Sequence, residues 1–380
     1  MAIAKDQFDI LALAAARLSS EGKKQQEIAQ HLGVSQPDVS RLLRHAEKEG
    51  WLRLKPLFIA SAASQDLVRQ ADEKFFSFAA LKEKMDDWAS GKVRCNVRVI
   101  HTSDRVQFGR AAADRVAELI VPDPMVEVVG VLWGRTIDEV VKGMEARSEK
   151  PPREKGPVNF VPLCGEPLYL ENLQNLNHSA SALAARLEVA FNGKSTKDAP
   201  SLAGVPAYLS TKFAGQKSET IREFISDIPG YGMIFGRGNR HARRPECLIN
   251  RLDAVITGVG TVDAEAREYI GTFIQERMAQ EKLDAKTLAE WVYGDIGGIL
   301  IPRPQLRGFA RKRVEQLNQG LTGIEYDDFK AVASRSEKPG VFVIASSPAK
   351  AEMIREIIKQ GLVNQLIIDR ASADGLLRLD

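Results

Sequence analysis

Cysteine is scarce in this 380-residue chain, and the three present, Cys95, Cys164 and Cys247, stand far apart with no CxxC pairing. That spacing gives neither a disulfide framework nor a zinc site, no cofactor or metal is expected, and the thiols are left as small buried hydrophobes. Long apolar runs are also missing. Residues 57–60 and 126–133 are among the longest, far short of the roughly 20 residues that cross a bilayer. The opening MAIAKDQFDI has early acidic residues and no signal-peptide core, so a cytoplasmic protein with no membrane partner is expected. Charge of one sign is lacking too: the net is +3, with no acidic or basic tail. Neither a GxGxxG nor a Walker motif occurs. What is present, 44% hydrophobic and 27% charged residues, is the composition of a globular protein.

The most informative stretch is Gln25 to Arg44, QQEIAQHLGVSQPDVSRLLR. Ile28, Ala29 and Leu32 recur at helical spacing, and the small Ala29 lets a second helix cross closely. Gly33 can take the left-handed conformation of a helix end, Ser35 can cap the next helix, and Pro37 falls near its start, where a missing N–H costs little. Val39, Leu42 and Leu43 then face inward. Gln36, Asp38, Ser40, Arg41 and Arg44 form an outer face suited to the major groove, with Ser35 at its edge. This spacing is that of a DNA-reading helix-turn-helix. Gly50 to Leu54 read as the turn and strand of a winged variant, placing Arg53 and Lys55 near phosphates. Residues 1–58 carry nine Lys or Arg against seven Asp or Glu. So slight a bias implies weak binding by one copy, and therefore a homo-oligomer.

Roughly 300 residues remain for a second function. Leu67, Val68, Ala71, Phe75, Phe78, Leu81 and Met85 are spaced for a long amphipathic linker helix over 59–92, one that pairs across a dimer or packs on its own large domain. From Val93 strands and helices alternate. Strands are predicted at 97–100, 126–132, 158–163, 254–257, 341–345 and 365–368, with helices at 107–119 and 136–144. The expected fold is α/β: a winged helix-turn-helix (1–58) followed by a Rossmann-like open parallel sheet (93–380). Strand ends rich in glycine and small residues gather the ligand site of such a sheet. GVLWGRT at 130–136 is the best of them, since a helix opening there offers backbone N–H groups and a positive dipole end to a phosphate, flanked by Arg135 and Thr136. IASSPAK (344–350) adds Lys350, and TGVGT (257–261) and GDIGG (294–298) read as further glycine turns, the latter placing Asp295 to accept from a sugar hydroxyl.

With these residues in view, the chain resembles the SorC family of sugar-binding transcriptional regulators over nearly its whole length. The marks are VSRLL, FGRAAADRVAELI before GVLWGRT, PLCGE (162–166), GVG (258–260), GDIGG, and KAEMIREIIKQGLVNQLIIDRASADGLL. The resemblance implies a large domain like that of sugar-phosphate isomerases and deaminases, which senses a sugar or phosphorylated sugar and controls operator binding by a dimer or tetramer. It also implies that Gly134, Arg135 and Thr136 form a phosphate loop, that Lys350 binds phosphate, and that Asp295 contacts a hydroxyl, with Asn177 and Arg267 as looser matches. Two departures stand out. Ser346 and Ser347 replace glycines, and Glu166 replaces another, putting a carboxylate where it would repel a phosphate or accept from a neutral polyol. A basic segment holds Arg237, Arg240, His241, Arg243 and Arg244, read as a solvated insertion, a ligand cover or a DNA contact. The fold also suits an isomerase or deaminase, but His101, His178 and His241 are scattered and Asp253, Asp263 and Asp295 read as ordinary strand-end polar groups, so no paired acid-base set stands out and no catalytic residue is assigned.

Overall fold

The computed structural model describes residues 5–52, 63–64, 67, 70–71, 78–121, 123, 125–147, 156–167, 178–193, 199–212, 216–236, 245–262 and 272–379. Three helices open it: α1 (Lys5–Ser20), α2 (Gln25–Leu32) and α3 (Gln36–Lys48). Gly33 sits at φ 66°, ψ 33°, the left-handed cap its lack of a Cβ permits, and the Ser35 hydroxyl accepts the Asp38 N–H at 3.3 Å. Ile28, Leu32, Val39, Leu42 and Ala46 pack with α1 into one core. Leu11 to Leu18 of α1 are all buried, so this helix is covered on every side rather than along one stripe. Trp51 and Leu52 close that core, as a wing would, while Arg53 lies outside the described residues.

The long linker helix is not continuous. Phe78 is non-helical, at φ −84° and ψ 82°, and α4 (Ala79–Ala89) starts after it. Leu81 and Met85 of α4 are buried in the core of the large α/β unit, so this part of the linker packs on its own large domain.

That unit is built on six parallel strands: β1 (Asn96–Ile100), β2 (Val128–Val131), β3 (Asn159–Pro162), β4 (Ala254–Thr257), β8 (Gly340–Ala345) and β9 (Gln365–Asp369), in the order β1-β9-β8-β4-β2-β3. β2, β4 and β8 are buried throughout, as near-continuous apolar runs in a doubly covered parallel sheet should be. Helices α5 (Arg105–Ile120), α6 (Arg135–Glu145) and α7 (Ala180–Asn192) cover one face. α5 and α6 cross closely, because a Cβ on Gly109 or Gly143 would strike the other helix. α4, α8 (Gln216–Asp227), α9 (Pro229–Phe235), α13 (Tyr326–Ala333), α14 (Ala351–Lys359) and α15 (Arg370–Leu377) contribute to the core on the other face. Asp253 fixes the start of β4 beside β2, accepting from the N–H groups of Glu127 (2.7 Å) and Val128 (3.1 Å) and pairing with Lys338 at 2.8 Å. Its strand-end role is structural.

Sequence patterning missed a second sheet. β5 (Val259–Thr261), β6 (Val292–Ile296) and β7 (Ile299–Pro302) are antiparallel, packed with α10 (Thr272–Glu281), α11 (Ala285–Trp291) and α12 (Gly308–Gln319). The supposed turns at 257–261 and 294–298 are therefore mostly strand. Gly294 is a close approach, since a Cβ there would collide with the Gly260 carbonyl. Only Gly297 (φ 56°) and Gly298 (φ 88°) make a turn, a two-residue hairpin whose positive φ angles suit glycine.

Candidate functional site

In the six-stranded sheet, β2 leads to β3 in one direction while β4 is followed by β8 and β9 in the other. The order reverses between β2 and β4, and the ligand crevice of an open parallel sheet lies at the carboxyl ends beside such a reversal. The sequence-derived residues arrive there on separate connections. Arg135 and Thr136 open α6 after β2, Glu166 follows β3, Lys350 follows β8, and Asp295 lies one residue before the end of β6. Arg105 follows β1 and donates to the Arg135 carbonyl at 2.9 Å, and Asp369 ends β9.

Lys350 is the centre of this set. It is 8% exposed, and burial, with the guanidinium of Arg135 beside it, brings its ammonium down to about 8, while Asp295 and Asp369 oppose that shift. Asp295 is buried, with Oδ2 accepting the N–H of Gly298 at 2.9 Å and Oδ1 buried without a hydrogen-bond partner. Burial raises its carboxyl above the usual range, against the pull of Arg277 and Lys350. Arg277, on α10, is fully buried, and none of its three guanidinium nitrogens has a hydrogen-bond partner. Its ring neighbour is Tyr208, 5.3 Å from the guanidinium carbon, and its charge reaches Asp295 and Glu276. An arginine with all its donors unused in the interior costs several kcal/mol unless something anionic or polar meets it. Sequence reading did not find it. The signal would have been an arginine on the inner face of α10, in a stretch matched only loosely through Arg267.

Glu166 is half-buried, its backbone tied to Val205 (2.7 Å) and Ala207 (2.8 Å). With Glu276 and Asp295 it helps push up the thiol of Cys164, after burial, to about 12, which places these carboxylates in one neighbourhood. Cys95, Cys164 and Cys247 are all buried and reduced. Asn177, Arg267 and the basic segment 237–244 lie outside the described residues. A large open cavity, about 1500 Å³, lies elsewhere, along α12 and β7. Mixed surface charges such as Glu219, Glu223 and Arg311 line it, with no buried, unpartnered group aimed into it.

The loop carrying Lys350 is strained. Ser347 has φ 129°, a conformation side chains rarely adopt, held by its N–H donating to the Ser372 hydroxyl at 2.9 Å. Ser347→Gly is expected to raise stability by about 1 kcal/mol, strain relief exceeding the entropy of an added glycine. A urea midpoint that moves up at constant slope is the check.

On the helix-turn-helix, Gln36, Arg41 and Arg44 are exposed. Ser35 and Asp38 are spent on the helix start, and Arg41 pairs with Asp38 while its own side chain stays 65% exposed. Arg44 donates to the Ser40 carbonyl at 3.3 Å. The outer face that α3 offers is thus narrower than expected from the sequence, with Ser35 and Asp38 acting mainly as a cap. Arg41→Ala is expected to weaken specific DNA binding by about 1 to 3 kcal/mol if Arg41 reads a base. An equal loss on scrambled DNA, measured by anisotropy, would make it a phosphate contact.

No protein-family model matches the chain. A deoxyribonucleoside regulator of Bacillus subtilis (strain 168) is 24% identical over 377 residues, 97% of each chain. The full-length sorbitol operon regulator SorC of Klebsiella pneumoniae superposes with a TM-score of 0.53 at 18% identity, over 98% of this chain and 100% of that one. The chain has the fold of a full-length SorC regulator. A domain of a possible sugar-binding transcriptional regulator from Arthrobacter aurescens TC1 also matches, with a TM-score of 0.50 and 18% identity over 80% of this chain and 99% of that domain. The SorC-like match takes in the helical N-terminal unit as well as the α/β unit, since it runs over nearly the whole chain.

Proposed function

We propose that this chain is a transcription regulator that binds operator DNA through α3 and is controlled by a phosphorylated sugar, or a polyol bearing an anionic group, held at the carboxyl ends of the six-stranded sheet. The carrying observation is the convergence there of Lys350, Arg135 and Arg105 with the buried, unsatisfied Asp295 and Arg277. Arg135, Thr136, the opening of α6 after Gly134, and Lys350 take the anionic group. Asp295 and Glu166 accept from hydroxyls, and Arg277 donates to an oxygen that enters between it and Asp295. The division is a reading unit (1–58), a linker (59–92) and an effector unit (93–380). Two or four copies act together in the cytoplasm, because one α3 covers too few base pairs to be specific. Among the described residues no helix is long and apolar enough to cross a membrane.

An enzyme reading has less support. His178 pairs with Asp138 at 3.2 Å and His101 packs against His31 of α2, so both histidines are engaged with other groups. The test is anisotropy on DNA from upstream of its own gene, with deoxyribonucleosides, sugars and sugar phosphates added. A compound that shifts a sequence-specific curve, and fails to in Thr136→Ala, supports the regulator. Consumption of a sugar phosphate without specific DNA binding would replace it with the enzyme.

A further inference from the structure

The helix-turn-helix meets the large unit at a small polar contact beside the effector site. Glu21, at the end of α1, is 3% exposed. One carboxylate oxygen takes the Arg17 Nε at 3.4 Å, within the reading unit, and the other accepts the backbone N–H of His101 at 3.2 Å. His101 is the first residue after β1. Its ring meets His31 of α2 edge-on at 4.7 Å and stacks at 5.9 Å on Phe78, which carries the guanidinium of Arg370 at 4.8 Å. Arg370 follows Asp369, one of the carboxylates whose field reaches Lys350.

A second route runs in parallel. Gly22 lies so close to the Gln107 side chain that a Cβ on it would overlap that amide. Gln107 is bonded to Thr102 (3.0 Å), and its N–H is capped by Asp104 (2.7 Å), in the turn that holds Arg105. Arg105 in turn holds the carbonyl of Arg135. Residues 101–107 therefore touch the reading unit on one side and the effector loop on the other.

We propose that the Glu21–His101 contact is a latch through which effector occupancy is transmitted to the DNA-reading helices. The proposal rests on the effector reading above. An anion drawn to Arg135 and Lys350 competes with Asp369 for the charge of Lys350 and with the Arg135 carbonyl for the position of Arg105. Both shifts act on His101 and the first turn of α5. α1 is buried from Leu11 to Leu18 and packs on α3, so a change in how Glu21 seats is passed to the reading helix as a rigid-body movement.

The test uses the full chain with inorganic phosphate and ribose 5-phosphate as probes, following amide hydrogen exchange by mass spectrometry and probe binding by thermal shift. Binding is expected to change exchange at 17–22 and at 101–107 together, by about fivefold or more. Glu21→Asp keeps the charge facing Arg17 but falls short of His101, and Glu21→Gln keeps an acceptor for His101 but drops the charge. In Glu21→Asp, probe binding is expected to persist while the change at 17–22 falls below about twofold; Glu21→Gln, with the acceptor retained, is expected to keep more of it. If a probe binds, with the binding lost in Lys350→Ala, and exchange at 17–22 is unaltered in the parent chain, the latch is overturned and the effector site stands. If neither probe nor any other sugar phosphate binds, the effector reading and the latch fall together.

Discussion

Asp295→Asn should lower the stability of this protein by about 3 kcal/mol, because it takes from the buried, charged Arg277 the carboxylate that acts on it most strongly. The substitution preserves an oxygen that can accept from Gly298, so the loss is not a broken hairpin turn. Arg277→Met should cost less. Burial already raises the Asp295 carboxyl, and once the cation is removed the acid takes up a proton instead of remaining an unpaired anion. The cost of Arg277→Met should therefore grow with pH, while that of Asp295→Asn should not. Combining the two removes both charges from the interior, and the double variant should recover to within about 1.5 kcal/mol of the parent. Urea unfolding of the four proteins closes this cycle. A double variant as unstable as the sum of the singles would mean the two groups do not interact. The recovered double variant should not respond to effector, since the groups that could meet a hydroxyl or anion between α10 and β6 are then gone.

The second large effect concerns the anion itself. Lys350→Ala is expected to weaken binding of a phosphorylated effector about 10- to 100-fold, the worth of one charge-assisted hydrogen bond of about 1.5 to 3 kcal/mol. The same lysine predicts a pH dependence. Its ammonium titrates at about 8, well below an ordinary lysine, so the cation is present at pH 7 and is lost as pH rises through 8 toward 9. Affinity should fall over that interval by up to about tenfold per pH unit, and a bound anion should move the fall upward. The Lys350→Ala protein should have lost that dependence. Isothermal titration at pH 6.5, 7.5 and 8.5 measures both, and an affinity in the parent chain flat across the series would remove Lys350 from the contact.

Much of this was legible in the residues because the physics concerned is local. Gly33, Ser35 and Pro37 specify their own turn and cap, and the inner strands β2, β4 and β8 are almost wholly apolar, so the position of Arg135 after β2 and of Lys350 after β8 followed from spacing. The small antiparallel sheet was hidden for the opposite reason. Gly258, Gly260, Gly294, Gly297 and Gly298 look alike in sequence, yet Gly260 and Gly294 serve strands that pass within backbone contact and only Gly297 and Gly298 turn. Whether a glycine bends a chain or lets another pass is decided by a partner more than 30 residues away. Arg277 was missed in the same manner: a charged residue on a helix reads as solvated until the element that buries it is known. The linker failed at Phe78, where periodicity continues but the backbone does not, because that ring stacks on His101.

The sheet has one further consequence. Among the described residues β1 lies at the sheet edge and bonds to one strand, β9, residues 365–369. During synthesis, residues 96–100 must wait for more than 260 others before that neighbouring strand exists. The helix-turn-helix is complete some 300 residues earlier. Residues 101–107, which follow β1, therefore gain their framework long after the three N-terminal helices have theirs, and under the function proposed above a nascent chain would reach DNA before an effector could govern it.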